Sequence, residues 1–176
     1  MVIERQSVWK RIFGMTPDPR EALRPLWHRV VLLAREPTLY RDLGVADTVA
    51  GRFDMVTAML ALVVRRMEAD DALRRQSAYL VELFVEEMDG QLREFGVGDV
   101  VVGKHIGKLM GTAGGRLGAY RAALNKGDRD ALAAALRRNV DFAEDYKAEA
   151  LADTLMTLAG RLENVSNADL LAGNIE

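Results

Sequence analysis

The chain has no cysteine among its 176 residues. That excludes disulfides, thiolate metal ligands and cysteine nucleophiles. Histidine occurs only as His28 and His105, and serine only as Ser7, Ser77 and Ser166. No nucleophile-and-base pair can be assembled from these, and no serine sits in a G-x-S-x-G turn. Neither histidine has a glutamate three residues before it, so the Glu-x-x-His pairs of di-iron helical bundles are missing. Apolar runs fall short of the ~18–20 residues that cross a bilayer, and the longest is broken by Arg65 and Arg66. A signal peptide's apolar stretch and small-residue cleavage site are also lacking, so a cytoplasmic or matrix-type location is expected. The net charge of −2 argues against broad phosphate neutralisation, and no specific DNA binding is expected.

What remains is a helix-forming composition. Proline is limited to four residues, and Ala, Leu, Arg, Glu and Asp dominate. Apolar residues make up 49% of the chain and charged ones 28%, which suits one globular core at this length. Residues 1–15 form a basic amphipathic segment. Val8, Ile12 and Met15 share a helical side with Trp9 and Phe13 beside them, and Arg5, Lys10 and Arg11 supply positive charge. This segment suits either peripheral membrane contact or packing onto the domain. Residues 16–176 read as a single helical domain. Helices are expected over about Arg20–Glu36, a short turn from Pro37 to Gly44, and a long helix capped by Asp47 or Thr48 and reaching Glu68. Others run from Asp70 or Asp71 to Phe95, from an Asp99 cap to Asn125, from an Asp128 cap to Phe142, and over Ala148–Glu163. Ser166 to Glu176 adds a turn or frays. Val100-Val101-Val102 is the one ambiguous strand-like run. The fold class is all-α, a compact and mainly antiparallel bundle of about six to eight helices.

Three patterns invite chemistry. Gly98 to His105 matches the G-x-x-x-x-G-K spacing of a phosphate loop, but it lacks the following Ser or Thr and the preceding strand. Two helix-terminus glycines with a cap between them explain it better. Glu82, Glu86, Glu87 and Asp89 gather carboxylates without histidine and read as a solvated face. His28 reads as packed at a boundary. No catalytic residue, metal ligand or cofactor is expected, and the chain reads as a non-enzyme. The third pattern is the row Gly103, Gly107, Gly111 and Gly115, with Gly114 and Gly118 alongside. Each glycine inside a helix costs about 0.5–1 kcal/mol relative to alanine. Such a row makes a groove that either an internal neighbour fills or a client helix enters.

Two groups of residues carry a resemblance. One is Tyr40-Arg41-Asp42-Leu43-Gly44-Val45-Ala46-Asp47-Thr48 followed by Gly51-Arg52-Phe53-Asp54-Met55. The other is Glu87-Met88-Asp89, Leu92-Arg93-Glu94, Gly96-Val97-Gly98-Asp99 and Val102-Gly103-Lys104, followed by Arg116 and Tyr120. In this order the chain resembles the ubiquinol–cytochrome c chaperones over about Leu26 to Ala123. It departs from their pattern at Ala113-Gly114-Gly115, where aromatic residues are expected. The resemblance implies a helical, non-enzymatic assembly factor for the cytochrome bc1 complex, here a bacterial member. Its implied partners are nascent or unassembled cytochrome b, and the ribosome or a small helper protein. Its location would be cytoplasmic, peripheral at the inner membrane, or in the mitochondrial matrix of a eukaryote. The expected partner-binding residues are Arg52, Asp54, Asp89, Arg93, Glu94, Asp99, Gly103, Lys104, Gly107, Gly111 and Gly115. For the charged ones a structural salt bridge or cap is the competing role. The alternative function is a helical carrier of a small apolar ligand such as a quinone or lipid, which needs an enclosed apolar cavity.

Overall fold

A computed structural model describes residues 18–94, 99–143 and 147–175, with side chains omitted over residues 91–110. The expected amphipathic helix at residues 1–15 and the Gly96-Val97-Gly98 stop lie outside the described residues. A 3₁₀ turn at Glu21–Leu23 leads into α1 (Arg24–Ala34), then α2 (Pro37–Arg41), α3 (Val49–Glu68) and α4 (Arg74–Glu94). There follow α5 (Asp99–Lys126), α6 (Arg129–Asn139), α7 (Ala148–Glu163) and α8 (Asn167–Ala172). The protein is all-α, as its composition and periodicity predict.

The helix ends follow the local chemistry. Pro25 stands in the first turn of α1, where its missing N–H costs nothing. Thr48 caps α3, its hydroxyl oxygen accepting the Gly51 N–H at 3.0 Å. Asp128 and Ser166 do the same for α6 and α8 through Ala131 and Asp169. Gly44, Gly127 and Gly173 adopt positive φ at helix stops.

Helix α3 is the axis of the fold. Every residue from Asp54 to Val64 is buried, so this helix is enclosed on all sides. It packs against α1, α4, α5 and α7, while α6 lies between α5 and α7. Arg66 fastens the far end, donating to the carbonyls of Leu162 at 3.0 Å and Val165 at 2.9 Å where α7 stops. The carboxyl-terminal residues pack rather than fray. Ile175 is buried, and Arg29 Nε donates to its carbonyl at 2.7 Å.

Two expectations are corrected here. Helix α6 ends at Asn139 instead of Phe142, because residues 140–143 turn into an extended strap. Val45 and Phe142 form an isolated antiparallel bridge, with Ala46 N–H donating to the Asp141 carbonyl at 2.8 Å and Ala143 N–H to the Gly44 carbonyl at 2.9 Å. Also, Val100-Val101-Val102-Gly103-Lys104-His105 is helical within α5, so Gly103 is not a helix terminus. A phosphate loop needs an open loop between its glycines, and from Asp99 onward this stretch is helix instead.

Gly51 lets the start of α3 meet this strap region. A methyl group at Gly51 would overlap the Ala46 carbonyl oxygen, which is held by the backbone on both sides. Gly51→Ala is therefore expected to destabilise the protein by about 1–3 kcal/mol, the usual range for overpacking, measured by urea unfolding. An unchanged midpoint would contradict this packing.

Candidate functional site

The two groups of resembling residues meet inside the protein. Asp54, on the inward side of α3, is only 3% exposed. It pairs with Arg116 of α5 and accepts the Asp141 N–H at 2.8 Å. Burial holds the Asp54 carboxyl above the usual carboxylate range, against the lowering pull of the Asp141 amide and of Arg116. The Arg116 guanidinium also lies over the Phe53 ring at 5.9 Å. Phe53 stacks on Phe84 of α4 at 6.0 Å, and Phe84 meets Trp27 of α1 at 5.9 Å. One turn beyond Arg116, Tyr120 is buried, and burial pushes its phenol up. Thr48 joins the same unit, its hydroxyl donating to Asp141 Oδ2 at 2.9 Å. These contacts bind four helices and the strap into one unit, buried at Asp54 and Tyr120 and reaching the surface only at Thr48 and Asp141 among the residues named.

The other expected site residues divide by position. Arg52 points outward and pairs with Asp47 at 2.7 Å. It lines an open cleft of about 700 Å³ with Arg35, Tyr40, Arg41 and Val45. Asp89 is half-buried on α4. Arg93 and Glu94 end the described part of α4, and Asp99, Gly103, Lys104 and Gly107 lie in the first half of α5. The side chains of those last six positions are outside the described set. Gly111 and Gly115 are exposed on α5, as are Gly114 and Gly118. The eleven residues thus do not form one patch, since Asp54 is internal while Arg52, Gly111 and Gly115 are external.

The glycine row is settled where it can be seen. A side-chain carbon added at Gly111, Gly114, Gly115 or Gly118 would meet no other atom within 4 Å. Among the described residues no internal neighbour fills the groove at these positions. The buried stripe of α5 is instead Ala113, Leu117, Tyr120 and Leu124, which faces the core. Leu117 of the buried stripe joins Val64, Ala78 and Val81 in the apolar wall of a cleft of about 400 Å³ between α3, α4 and α5. Glu68, Arg74 and Arg121 stand at its rim, with Glu68 and Arg121 paired across it. Val85 and Met88 continue the part-buried apolar row along α4. Sequence reasoning missed this cleft, because its wall is assembled from three helices far apart in the chain.

The carboxylates of α4 are partly engaged rather than simply solvated. Glu86 takes Arg20 at 2.8 Å and Glu87 takes Arg24 at 3.1 Å. Among the described residues no group of three or more His, Asp or Glu is placed to hold a metal. His28 is exposed on α1 rather than packed at a boundary, because the next residue after buried Trp27 turns away from the core. No described helix is long and apolar enough to cross a membrane.

Asp54→Asn is expected to cost about 3–5 kcal/mol, since it leaves the Arg116 guanidinium buried without its counter-charge. Equilibrium unfolding measures this, and a double-mutant cycle with Arg116→Gln assigns the cost to the pair. A cycle without coupling would mean that the two side chains act independently.

The profile of the family described as ubiquinol-cytochrome C chaperone matches residues 41–176. No curated protein matches the chain. In structure it is similar to the crystal structure of the Cbp3 homolog from Brucella abortus, with a TM-score of 0.78 and 30% identity. That similarity covers 100% of this chain and 96% of the other. The chain belongs to the ubiquinol–cytochrome c chaperone family.

Proposed function

We propose that this chain is a non-enzymatic chaperone that holds cytochrome b before it joins the bc1 complex. The observation that carries the reading is the open face of α5, where no described atom packs on Gly111, Gly114, Gly115 or Gly118, on a helix that also lines an apolar cleft through Leu117. A hydrophobic membrane helix has little polar surface to offer, so it is best held by close backbone approach and apolar contact. Glycines permit that approach, and the Val81–Val85–Met88 row supplies the apolar side. The charged rim keeps the empty face compatible with water. The half of α5 that carries Gly103, Lys104 and Gly107 extends the same helix and is assigned to the same docking surface. Arg52, Asp89, Arg93, Glu94 and Asp99 serve as its polar surroundings, while Asp54 acts by fixing α5. The ribosome or a small helper protein would join at other surfaces, and the work would take place in the cytoplasm beside the inner membrane.

The carrier alternative is less well supported. The α3–α4–α5 cleft is open at the surface, whereas a quinone or lipid carrier needs an enclosure of roughly 300–1,000 Å³.

Cells lacking the protein are expected to lose bc1 complex, measured by haem spectra and native gels of their membranes, and pulldown from wild-type cells should recover cytochrome b. Normal bc1 content together with no respiratory protein in the pulldown would refute the reading. A second outcome separates docking from folding. Gly114→Ala is expected to stabilise the protein by about 0.5–1 kcal/mol through helix propensity, because the added methyl meets open space. Gly114→Leu should fold equally well but fail to restore bc1 in the deletion strain. Full restoration by Gly114→Leu would remove this face from client binding.

A further inference from the structure

The cleft of about 700 Å³ that Arg52 lines lies between the end of α1, α2, residues 45–47, the first turn of α3 and the strap. It shares no lining residue with the α3–α4–α5 cleft. Its floor is fixed by bonds that the fold itself requires. The Tyr40 phenol donates to the Ala34 carbonyl at 2.5 Å, which ties α2 to α1. The strap holds Gly44 and Ala46 through backbone bonds of 2.9 and 2.8 Å. Val45 is buried beneath, and Pro37, the Tyr40 ring and Ala143 add apolar surface.

Above that floor the cleft is cationic, in a chain whose net charge is −2. The guanidiniums of Arg35, Arg41 and Arg52 line it against one carboxylate, Asp47, among the described residues. Arg41 is committed to Asp42 by two bonds of 2.8 Å. Arg52 gives only its Nε to Asp47, at 2.7 Å. Arg35 is exposed at the end of α1, and its guanidinium has no hydrogen-bond or ion-pair partner among the described residues. Burial pushes the Tyr40 phenol up, Arg52 and Arg35 pull against it, and Asp47 adds to it. The two available guanidiniums therefore lie around the same side chain. A planar carboxylate matches one guanidinium fork, whereas a tetrahedral phosphate offers oxygens to two from different directions. A nucleic-acid strand needs cations spaced along its backbone, and Asp42 and Asp47 interrupt such a run here. We infer that this cleft binds a phosphate ester, its phosphate between Arg35 and Arg52 and its organic group on Pro37, Tyr40 and Ala143. The volume falls within the roughly 300–1,000 Å³ of small-molecule sites. Because the cleft is open, a soluble ester and the headgroup of a membrane lipid present it with the same chemistry.

The test is calorimetric titration of the full chain with phenyl phosphate at fixed ionic strength. Phenyl phosphate is expected to bind more tightly than inorganic phosphate, because its ring rests on the apolar floor. Arg35→Gln and Arg52→Gln should each weaken it about tenfold, the usual loss for a charge-assisted hydrogen bond. Asp47→Asn frees Arg52 and removes a like charge, and should tighten binding about threefold. A variant that merely failed to fold could not give that gain. Arg161→Gln removes an exposed arginine of α7 that lines another cleft, and should change nothing. Vesicles of phosphatidylcholine with phosphatidic acid separate the two sources. Pelleting that Arg35→Gln and Arg52→Gln abolish assigns a lipid headgroup, and pelleting they leave unchanged, with phenyl phosphate bound as expected, assigns a soluble ester. No binding of phenyl phosphate, or binding that Arg161→Gln weakens as much as Arg35→Gln does, would overturn the proposal. So would single-stranded RNA that binds through Arg35 and Arg52 where phenyl phosphate does not. No client enters this assay, so its failure leaves the bc1 phenotype of the deletion strain untouched.

Discussion

A carboxylate buried in the middle of a helical core has to be surrounded by donors, and much of this architecture follows from how Asp54 meets that demand. An uncompensated charge there would cost several kcal/mol. Arg116 fixes the rotation and height of α5 against α3, and the Asp141 amide draws the chain out of α6 into the strap. The strap then bridges Gly44 to Ala46, and Asp141 accepts from the same Thr48 hydroxyl that caps α3. Gly51 is required because these pieces leave no room for a side chain. The most family-like residues thus serve as internal wiring.

This arrangement explains how one helix can be rigid on one side and bare on the other. With Arg116 and Tyr120 turned inward, Gly111, Gly114, Gly115 and Gly118 are left facing outward with no described atom packed on them. A helix so rich in glycine forms poorly by itself, since most helical stability comes from tertiary packing. The ion pair and the Arg116–Phe53–Phe84–Trp27 series supply that packing from behind. The open face can then remain empty without the helix unwinding.

Much of the fold was legible in the sequence because helix formation is governed locally. Thr48 and Asp128 cap helices, Pro25 and Gly44 stand where helix ends need them, and the α3 and α7 boundaries fall where periodicity puts them. The strap was not legible. Residues 140–142 continue a helical pattern, and only Asp54, distant in sequence, diverts them. The role of Asp54 was likewise hidden, since Arg52 and Asp54 look alike in a loop-to-helix junction and differ only in which side of α3 they occupy. The glycine row was visible as a groove, but its exposure depends on the rotation that Arg116 imposes.

The central claim is that the buried pair orients α5 so that its glycine face meets the client. A photocrosslinking amino acid placed at Gly118 in living cells tests it most directly, with the same residue at Thr157 on α7 as control. The expected result is a crosslink to cytochrome b from position 118 and none from position 157. Crosslinks to cytochrome b from position 157 alone would contradict the claim and move client binding to another face.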